Sequence, residues 1–224
     1  MRRIPFIHLF LFISFVLICG CKKEEQVNDR ITDIDGNVYN TVTIGTQVWM
    51  KENLKVTRFS NGDPIPIITD ATQWINLSSG AFCYYDNNPV NANTYGILYN
   101  WFAVSDSRNI CPQGWHVPAK SEWEKLVAES GGEDIAGGKL KAKETTHWIS
   151  PNEGAKDTYG FAALPGGYRY YNAFQPPGYY AVFWSKTPDG QTDGWSLSLV
   201  NSQAKAYIER TLKTNGHAVR CIKD

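Results

Sequence analysis

Cys21 is the residue whose neighbours define its chemistry most narrowly. It closes the tetrapeptide Ile18-Cys19-Gly20-Cys21, behind Arg2-Arg3 and an almost wholly apolar run over residues 4–18. A charged start, a short apolar run and a small residue before the cut describe a secretory signal. The run of 15 residues falls short of the roughly 20 that a membrane-spanning helix needs. An aliphatic residue, a small residue and a cysteine in this order resemble a lipobox, in which diacylglycerol is placed on the sulfur. Cys19 cannot take that part, because the bulky Ile18 precedes it. Residues 1–20 are therefore expected to be a signal peptide and Cys21 the lipidated first residue of the mature chain. Residues 21–30, led by Lys22-Lys23-Glu24-Glu25-Gln26, read as a polar tether. Each buried acyl CH₂ contributes about 0.8 kcal/mol, so the membrane is the first expected partner.

Three further cysteines, Cys83, Cys111 and Cys221, would then sit in a compartment where disulfides persist. They allow one bridge and one thiol. Cys111–Cys221 is the favoured pair, since both flank segments that look like edges of the fold. Cys83 lies in the apolar run Ala81-Phe82-Cys83-Tyr84-Tyr85 and reads as a buried thiol.

Catalytic patterns fail on inspection. Gly137-Gly138-Lys139-Leu140 would need glycine at Glu133 and Ser or Thr at Leu140 to be a phosphate loop, and reads instead as a helix-end glycine pair. His116 and His147 lack zinc-binding spacing, and His217 near the end is expected to be exposed. No Gly-x-Ser-x-Gly elbow occurs, and no two acidic residues are singled out as a glycosidase pair. The chain is expected not to be an enzyme and to need no cofactor. The oxygen-rich loop around Asp86 and Asn88 supplies the only candidate metal ligands, for calcium.

Ten aromatic residues fall within the 26 residues from 159 to 184. Pro165-Gly166-Gly167 and Pro176-Pro177-Gly178 break this stretch into loops, so some rings must be exposed or line a groove. Tyrosine and tryptophan bury apolar area while keeping a polar tip wet, which suits sugars and protein surfaces alike. Tyr168, Tyr170, Tyr171, Tyr179, Tyr180 and Trp184 are the candidate ligand-binding rings, with Arg169 as an orienting donor. The whole chain has 22 basic and 22 acidic residues, and removing Arg2 and Arg3 with the signal leaves 20 against 22. No basic excess points to nucleic acid.

These side chains must be carried by a domain of about 194 residues, enough for a sizeable core. Residues 31–58 read as strands and tight turns, with Asp35-Gly36 a hairpin signal. A short helix is expected around Trp74. Tyr95, Leu98, Tyr99 and Phe102 recur at helical spacing and predict one helix over 94–104. Ser121-Glu122-Trp123-Glu124 predicts a capping box, with Trp123, Leu126 and Val127 as the apolar stripe and Gly131-Gly132 as the stop. A shorter helix is expected over 135–142. Strands are expected near 161–164, 181–185, 195–200, 204–211 and 218–222. The economical reading is one α+β domain over 31–224, without repeat or linker.

Several phrases are recognisable together: Asp33-Ile34-Asp35-Gly36-Asn37-Val38-Tyr39, Trp49-Met50-Lys51-Glu52-Asn53-Leu54 and Thr94-Tyr95-Gly96-Ile97-Leu98-Tyr99-Asn100-Trp101. Cys111-Pro112-Gln113-Gly114-Trp115-His116-Val117-Pro118, Gly160-Phe161-Ala162-Ala163-Leu164-Pro165-Gly166-Gly167-Tyr168-Arg169, Phe183-Trp184-Ser185 and Val219-Arg220-Cys221-Ile222-Lys223-Asp224 complete the set. As a set they resemble the Fibrobacter succinogenes major paralogous domain, a family of exported, often lipid-anchored proteins. The resemblance implies a layout similar to the C-type-lectin-like fold of formylglycine-generating sulfatase-modifying proteins. In both, a tryptophan-bearing helix follows a phrase like Val117-Pro118, and a closing strand follows a glycine like Gly216. That fold hosts glycan binding, protein binding and one oxidase chemistry, so it does not choose a function. No Glu-Pro-Asn or Gln-Pro-Asp triplet and no Trp-Asn-Asp occurs, and the oxidase's paired cysteines are absent. The lysine and acidic residues after Cys21 resemble the stretch that sends some Bacteroidetes lipoproteins to the cell-surface face of the outer membrane. The expectation is an outer-membrane lipoprotein that recognises a glycan or a surface protein through its aromatic loops.

Overall fold

A computed structural model describes Met1 and residues 30–224. The signal segment, Cys19, Cys21 and the tether up to residue 29 lie outside the described residues.

The domain opens with a hairpin of β1 (Ile31–Thr32) and β2 (Val38–Tyr39). Its turn is fixed by one carboxylate. Asp33 Oδ1 accepts the Asp35 and Asn37 backbone N–H groups at 2.9 Å each, and Oδ2 accepts the Asn37 amide at 2.9 Å and the Tyr39 hydroxyl at 2.6 Å. Short acidic side chains favour such local turns, and Gly36 supplies the positive φ of +84°. A second hairpin joins β3 (Thr41–Ile44) and β4 (Gln47–Met50).

After α1 (Ala71–Ile75) and β5 (Phe82–Cys83), the chain departs from the expected single helix over 94–104. It forms a one-turn α2 (Ala92–Tyr95), β6 (Leu98–Tyr99) paired with β5, and a one-turn α3 (Trp101–Val104). Gly96 breaks the helix at φ +75°, packed so tightly that an added Cβ would lie 2.6 Å from Asn53 Cβ. Asn100 then restarts it by accepting the Ala103 N–H at 3.0 Å. The apolar spacing was helical, but backbone conformation and strand pairing overrode it.

β7 (Trp115–His116) leads into α4 (Lys120–Glu129). The helix begins two residues earlier than the Ser121 cap expected. Ala119 takes the cap position, and Glu122 reaches back to accept its N–H at 2.7 Å. Trp123, Leu126 and Val127 are buried as the stripe predicts, and Gly131 follows at φ +96°. α5 (Glu133–Leu140) comes next. Its two glycines are packing devices: a Cβ on Gly137 would sit 2.2 Å from Lys205 O, and one on Gly138 would sit 2.4 Å from Gly154 O.

β8 (Tyr168–Tyr170) and β9 (Ala173–Gln175) form a hairpin where loops were expected. The strand expected at 161–164 reduces to a single bridge between Ala163 and Lys141. β10 (Tyr180–Asp189), β11 (Asp193–Val200) and β12 (Ala206–Leu212) make an antiparallel sheet in that order. β13 (Ile222–Lys223) ends the chain inside a four-stranded antiparallel sheet of order β3-β4-β13-β7. The described residues thus form a mixed α/β domain with five short α-helices and small antiparallel sheets, none closed into a barrel.

Beside a small cluster of Trp74, Ala81, Cys83 and Leu98, two large apolar cores result. One gathers Tyr39, Met50, Leu54, Phe59, Tyr99, Trp115, Trp184 and Val219. The other gathers Trp49, Trp123, Leu126, Trp148, Phe161, Phe183, Leu197 and Leu199, with Trp49 and Trp123 stacked at 4.6 Å. Cys111 and Cys221 form the disulfide, closing 110 residues. In the chain-entropy model such a loop stabilises by roughly 5 kcal/mol, an upper figure. Cys83 is free and buried, and burial pushes its thiol up to about 11.

Replacing Gly137 by alanine gains about 1 kcal/mol of helix propensity but forces a methyl into the Lys205 carbonyl. The clash dominates, and urea denaturation of Gly137→Ala should show a net loss of about 2 kcal/mol.

Candidate functional site

The three-stranded sheet has two chemically distinct faces, because side chains alternate along each strand. In β11, Leu197 and Leu199 point with Ala181, Phe183 and Ala206 into the core beneath α4 and α5. Ser196 and Ser198 point the other way, opposite Trp184 and Val182 on β10 and opposite Glu209 and Tyr207 on β12. This second face is only partly covered. The β8–β9 hairpin flanks it and leaves a groove of about 510 Å³.

Tyrosines form the groove's walls. Tyr168 and Tyr180 meet edge to face at 5.7 Å, and Tyr170 stands beside them at the hairpin end, 45% exposed. Tyr207 forms the facing wall and donates its hydroxyl to Gln203 Oε1. The floor is Val182, Ser196, Ser198 and His217. Ser196 donates to the Glu209 carbonyl at 3.3 Å, whereas Ser198 has no side-chain hydrogen bond among the described residues. The exposed Glu209 carboxylate has no ion pair among them either. Asn215 donates to Thr211 Oγ1 at 2.7 Å and borders the hairpin side. The outcome is a cleft with flat apolar rings on its sides and hydroxyl, amide and carboxylate groups along its base.

The rings expected to bind ligand divide into two sets. Tyr168, Tyr170 and Tyr180 line the groove. Tyr171 and Tyr179 stand outside it, 47% and 38% exposed, with Tyr171 against Tyr170 at 4.7 Å and Tyr179 beside Tyr180 at 6.4 Å. Trp184 is a correction. It is fully buried, donates its indole N–H to Tyr99 O at 2.7 Å and belongs to the core.

Arg169 is a second correction. Strand alternation turns it away from Tyr168 and Tyr170, and only 1% of it is exposed. Its guanidinium lies 4.5 Å from the Trp74 ring and 5.2 Å from Phe174, and donates to the Ile68 and Thr69 carbonyls at 3.1 and 3.3 Å. It anchors the hairpin rather than facing a ligand. At the candidate calcium loop, Asn88 Oδ1 already accepts the Val90 N–H at 3.1 Å, and Asp86 sits in a tight turn at φ 52°. Among the described residues no group of three or more His, Cys, Asp or Glu side chains converges as a metal site.

His217, expected to be exposed, is 2% exposed. Its ring packs 4.4 Å from Trp184 and 5.4 Å from Tyr168. Nε2 lies 3.1 Å from Thr211 Oγ1, while Nδ1 is buried without a hydrogen-bond partner. Burial pushes this imidazole down to about 3, so it is neutral. Sequence reading missed His217, Ser196, Ser198, Tyr207 and Glu209 as groove residues. The signal for Ser196 and Ser198 was the alternation Trp195-Ser196-Leu197-Ser198-Leu199, a strand with one apolar and one polar face.

The fold and cleft define a mixed α/β domain that presents an aromatic-walled groove on one sheet. The family model of the Fibrobacter succinogenes major domain matches residues 42–223, and the chain belongs to that family. No curated protein and no solved structure matches the chain.

The buried neutral His217 makes stability depend on pH. Below the ordinary value of 6.5 the unfolded chain takes up a proton that the folded chain refuses until about 3. Stability is therefore fully present above 6.5 and falls as pH drops toward 3. In His217→Gln this component vanishes. Urea midpoints measured from pH 7.5 to 5 should fall more steeply for the wild type than for the variant.

Proposed function

We propose that the chain is an exported, lipid-anchored and non-catalytic binding module that takes a glycan in the groove between the β8–β9 hairpin and β12. The observation that carries this reading is the pairing of tyrosine walls with a hydroxyl- and carboxylate-bearing floor. Sugars present apolar C–H faces and a rim of hydroxyls, and such a cleft answers both. Among the described residues a single carboxylate, Glu209, lines the groove, whereas glycoside hydrolysis generally uses two; this supports a binding role. The architecture is read as C-type-lectin-like. Support comes from Trp123 on the helix after Val117-Pro118 and from the closing strand after Gly216. The lipobox supports an anchor on Cys21, and the charged tether supports the cell-surface face of the outer membrane.

The full-length chain should bind members of a broad glycan array. Tyr170→Ala and Tyr180→Ala should weaken that binding tenfold or more while the circular dichroism of the fold is unchanged. Silence across the array, or binding indifferent to both changes, would overturn the glycan reading in favour of a structural role in the envelope. Separately, cells fed radiolabelled palmitate should label the wild-type chain and fail to label Cys21→Ser.

A further inference from the structure

The charges around the groove are unevenly placed. Glu209 stands opposite Ser196 on the groove face, with its carboxylate unpaired among the described residues. Arg210, the next residue, also borders the groove, and its guanidinium is already paired with an anion, Nη1 lying 3.4 Å from Asp189 Oδ2. Other nearby cations are committed elsewhere. Lys205 lies 3.6 Å from Glu133 and 3.7 Å from Asp134 on α5. Lys141 Nζ donates to the Glu153, Val200 and Gln203 carbonyls at 2.8–2.9 Å. Lys213 Nζ donates to the Gly190 and Gln191 carbonyls at 2.9 Å. His217 on the floor is buried and uncharged. Among the described residues, a ligand entering the groove therefore meets one unpaired anion, Glu209, and one cation, Arg210, that Asp189 already engages.

Resting on the glycan reading above, we propose that the groove selects neutral, hydroxyl-rich sugars and rejects acidic ones, with Glu209 as its charged acceptor. An ionised carboxylate accepts hydrogen bonds from sugar hydroxyls, and such charge-assisted bonds are roughly twice as strong as neutral ones. A uronate or sialate in the same cleft would bring a second negative charge beside Glu209 while Asp189 already engages Arg210, and like-charge juxtaposition is a recognised means of excluding wrong partners. The unengaged Ser198 hydroxyl can donate to a ring or glycosidic oxygen, completing recognition of an uncharged sugar.

The test titrates the full-length chain with neutral β-glucan, xylan and galactan oligosaccharides, each beside a uronate- or sialate-bearing counterpart. Wild type should bind at least one neutral member and bind its acidic counterpart at least tenfold more weakly. In Glu209→Gln, an exposed position whose change should leave the circular dichroism of the fold unaltered, neutral binding should weaken about tenfold and the gap should shrink below threefold. Acidic sugars bound as tightly as neutral ones, or a gap unchanged in Glu209→Gln, would overturn the charge selection. The groove would still stand as the site if Tyr180→Ala abolished that binding. Failure of every oligosaccharide to bind would overturn both.

Discussion

The backbone of residues 216–223 must find a partner for each buried N–H and C=O while passing through the middle of the molecule, and the rest of the fold is arranged around that need. Gly216 and Arg169 exchange N–H···O bonds at 2.8 Å, tying the segment to the β8–β9 hairpin. His217 and Tyr99 exchange another pair at 3.0 and 2.9 Å, tying it to β6. Ala218 donates to Val182 O at 3.1 Å and accepts from Trp184 N at 3.0 Å, joining β10. Val219 and Cys221 accept from Leu54 and Met50 at 2.8 and 3.0 Å, and Ile222 pairs with Trp49 and His116. One extended segment thus staples five separate pieces of sheet. The Cys111–Cys221 bridge adds a covalent link from the same segment to the stretch just before β7. This spine carries His217 into the floor of the groove, so the groove depends on the same pairing that closes the domain.

Buried cations are the second organising element, and among the described residues none is paired with a carboxylate at contact distance. Arg220, 1% exposed, donates to Asn53 Oδ1 at 2.9 Å and to the Phe161 and Ala162 carbonyls, with Phe161 and Phe183 stacked over it at 4.3 and 5.2 Å. Lys141, Lys213 and Arg169 follow the same rule, giving their N–H groups to carbonyls beside an aromatic face. Burying a charge costs several kcal/mol unless hydrogen bonds replace water. Loops have carbonyls to spare, and a cation with several donors gathers them. Lys141 joins the end of β11 and the following turn, which carries Gln203, to the loop at Glu153. The turn that orients Tyr207 across the groove is therefore set by a buried ammonium rather than by regular secondary structure.

The pattern of what could be read from sequence follows from these two devices. Local chemistry was legible: the Asp35-Gly36 turn, the Trp123-Leu126-Val127 stripe and the β10–β12 strands all rest on neighbours in the chain or on alternation, while the Cys111–Cys221 pair was legible because few cysteines compete for it. The 94–104 stretch misled because periodicity records only where apolar residues fall, while Gly96 and the pairing of β6 with the 216–223 spine decided the backbone. His217 and Arg169 misled for the same reason. A polar residue close to the chain end or among tyrosines looks exposed until a distant segment supplies its partners. Of the rings in 159–184, aromatic density identified the neighbourhood of the groove but not which rings face it. Sorting them required the β8–β9 pairing, which puts Tyr168 and Tyr170 on one side and Arg169 on the other.

The hairpin that performs this sorting carries a backbone cost at its tip. Tyr170 pairs with Ala173 across a two-residue turn, and Tyr171 occupies the left-handed region at φ 52°. Asn, Asp and Gly dominate such positions, whereas a bulky side chain there meets the carbonyl and destabilises by about 1–2 kcal/mol. Little packing repays it, since the ring is 47% exposed and touches Tyr170 edge to face at 4.7 Å. Backbone strain of this kind clusters at binding and switch sites. Under the glycan reading proposed above, Tyr171, edge to face with Tyr170 just outside the groove, would add one more ring for a ligand longer than the cleft. An asparagine would make a better turn at this position, but it would shorten the aromatic surface by one ring.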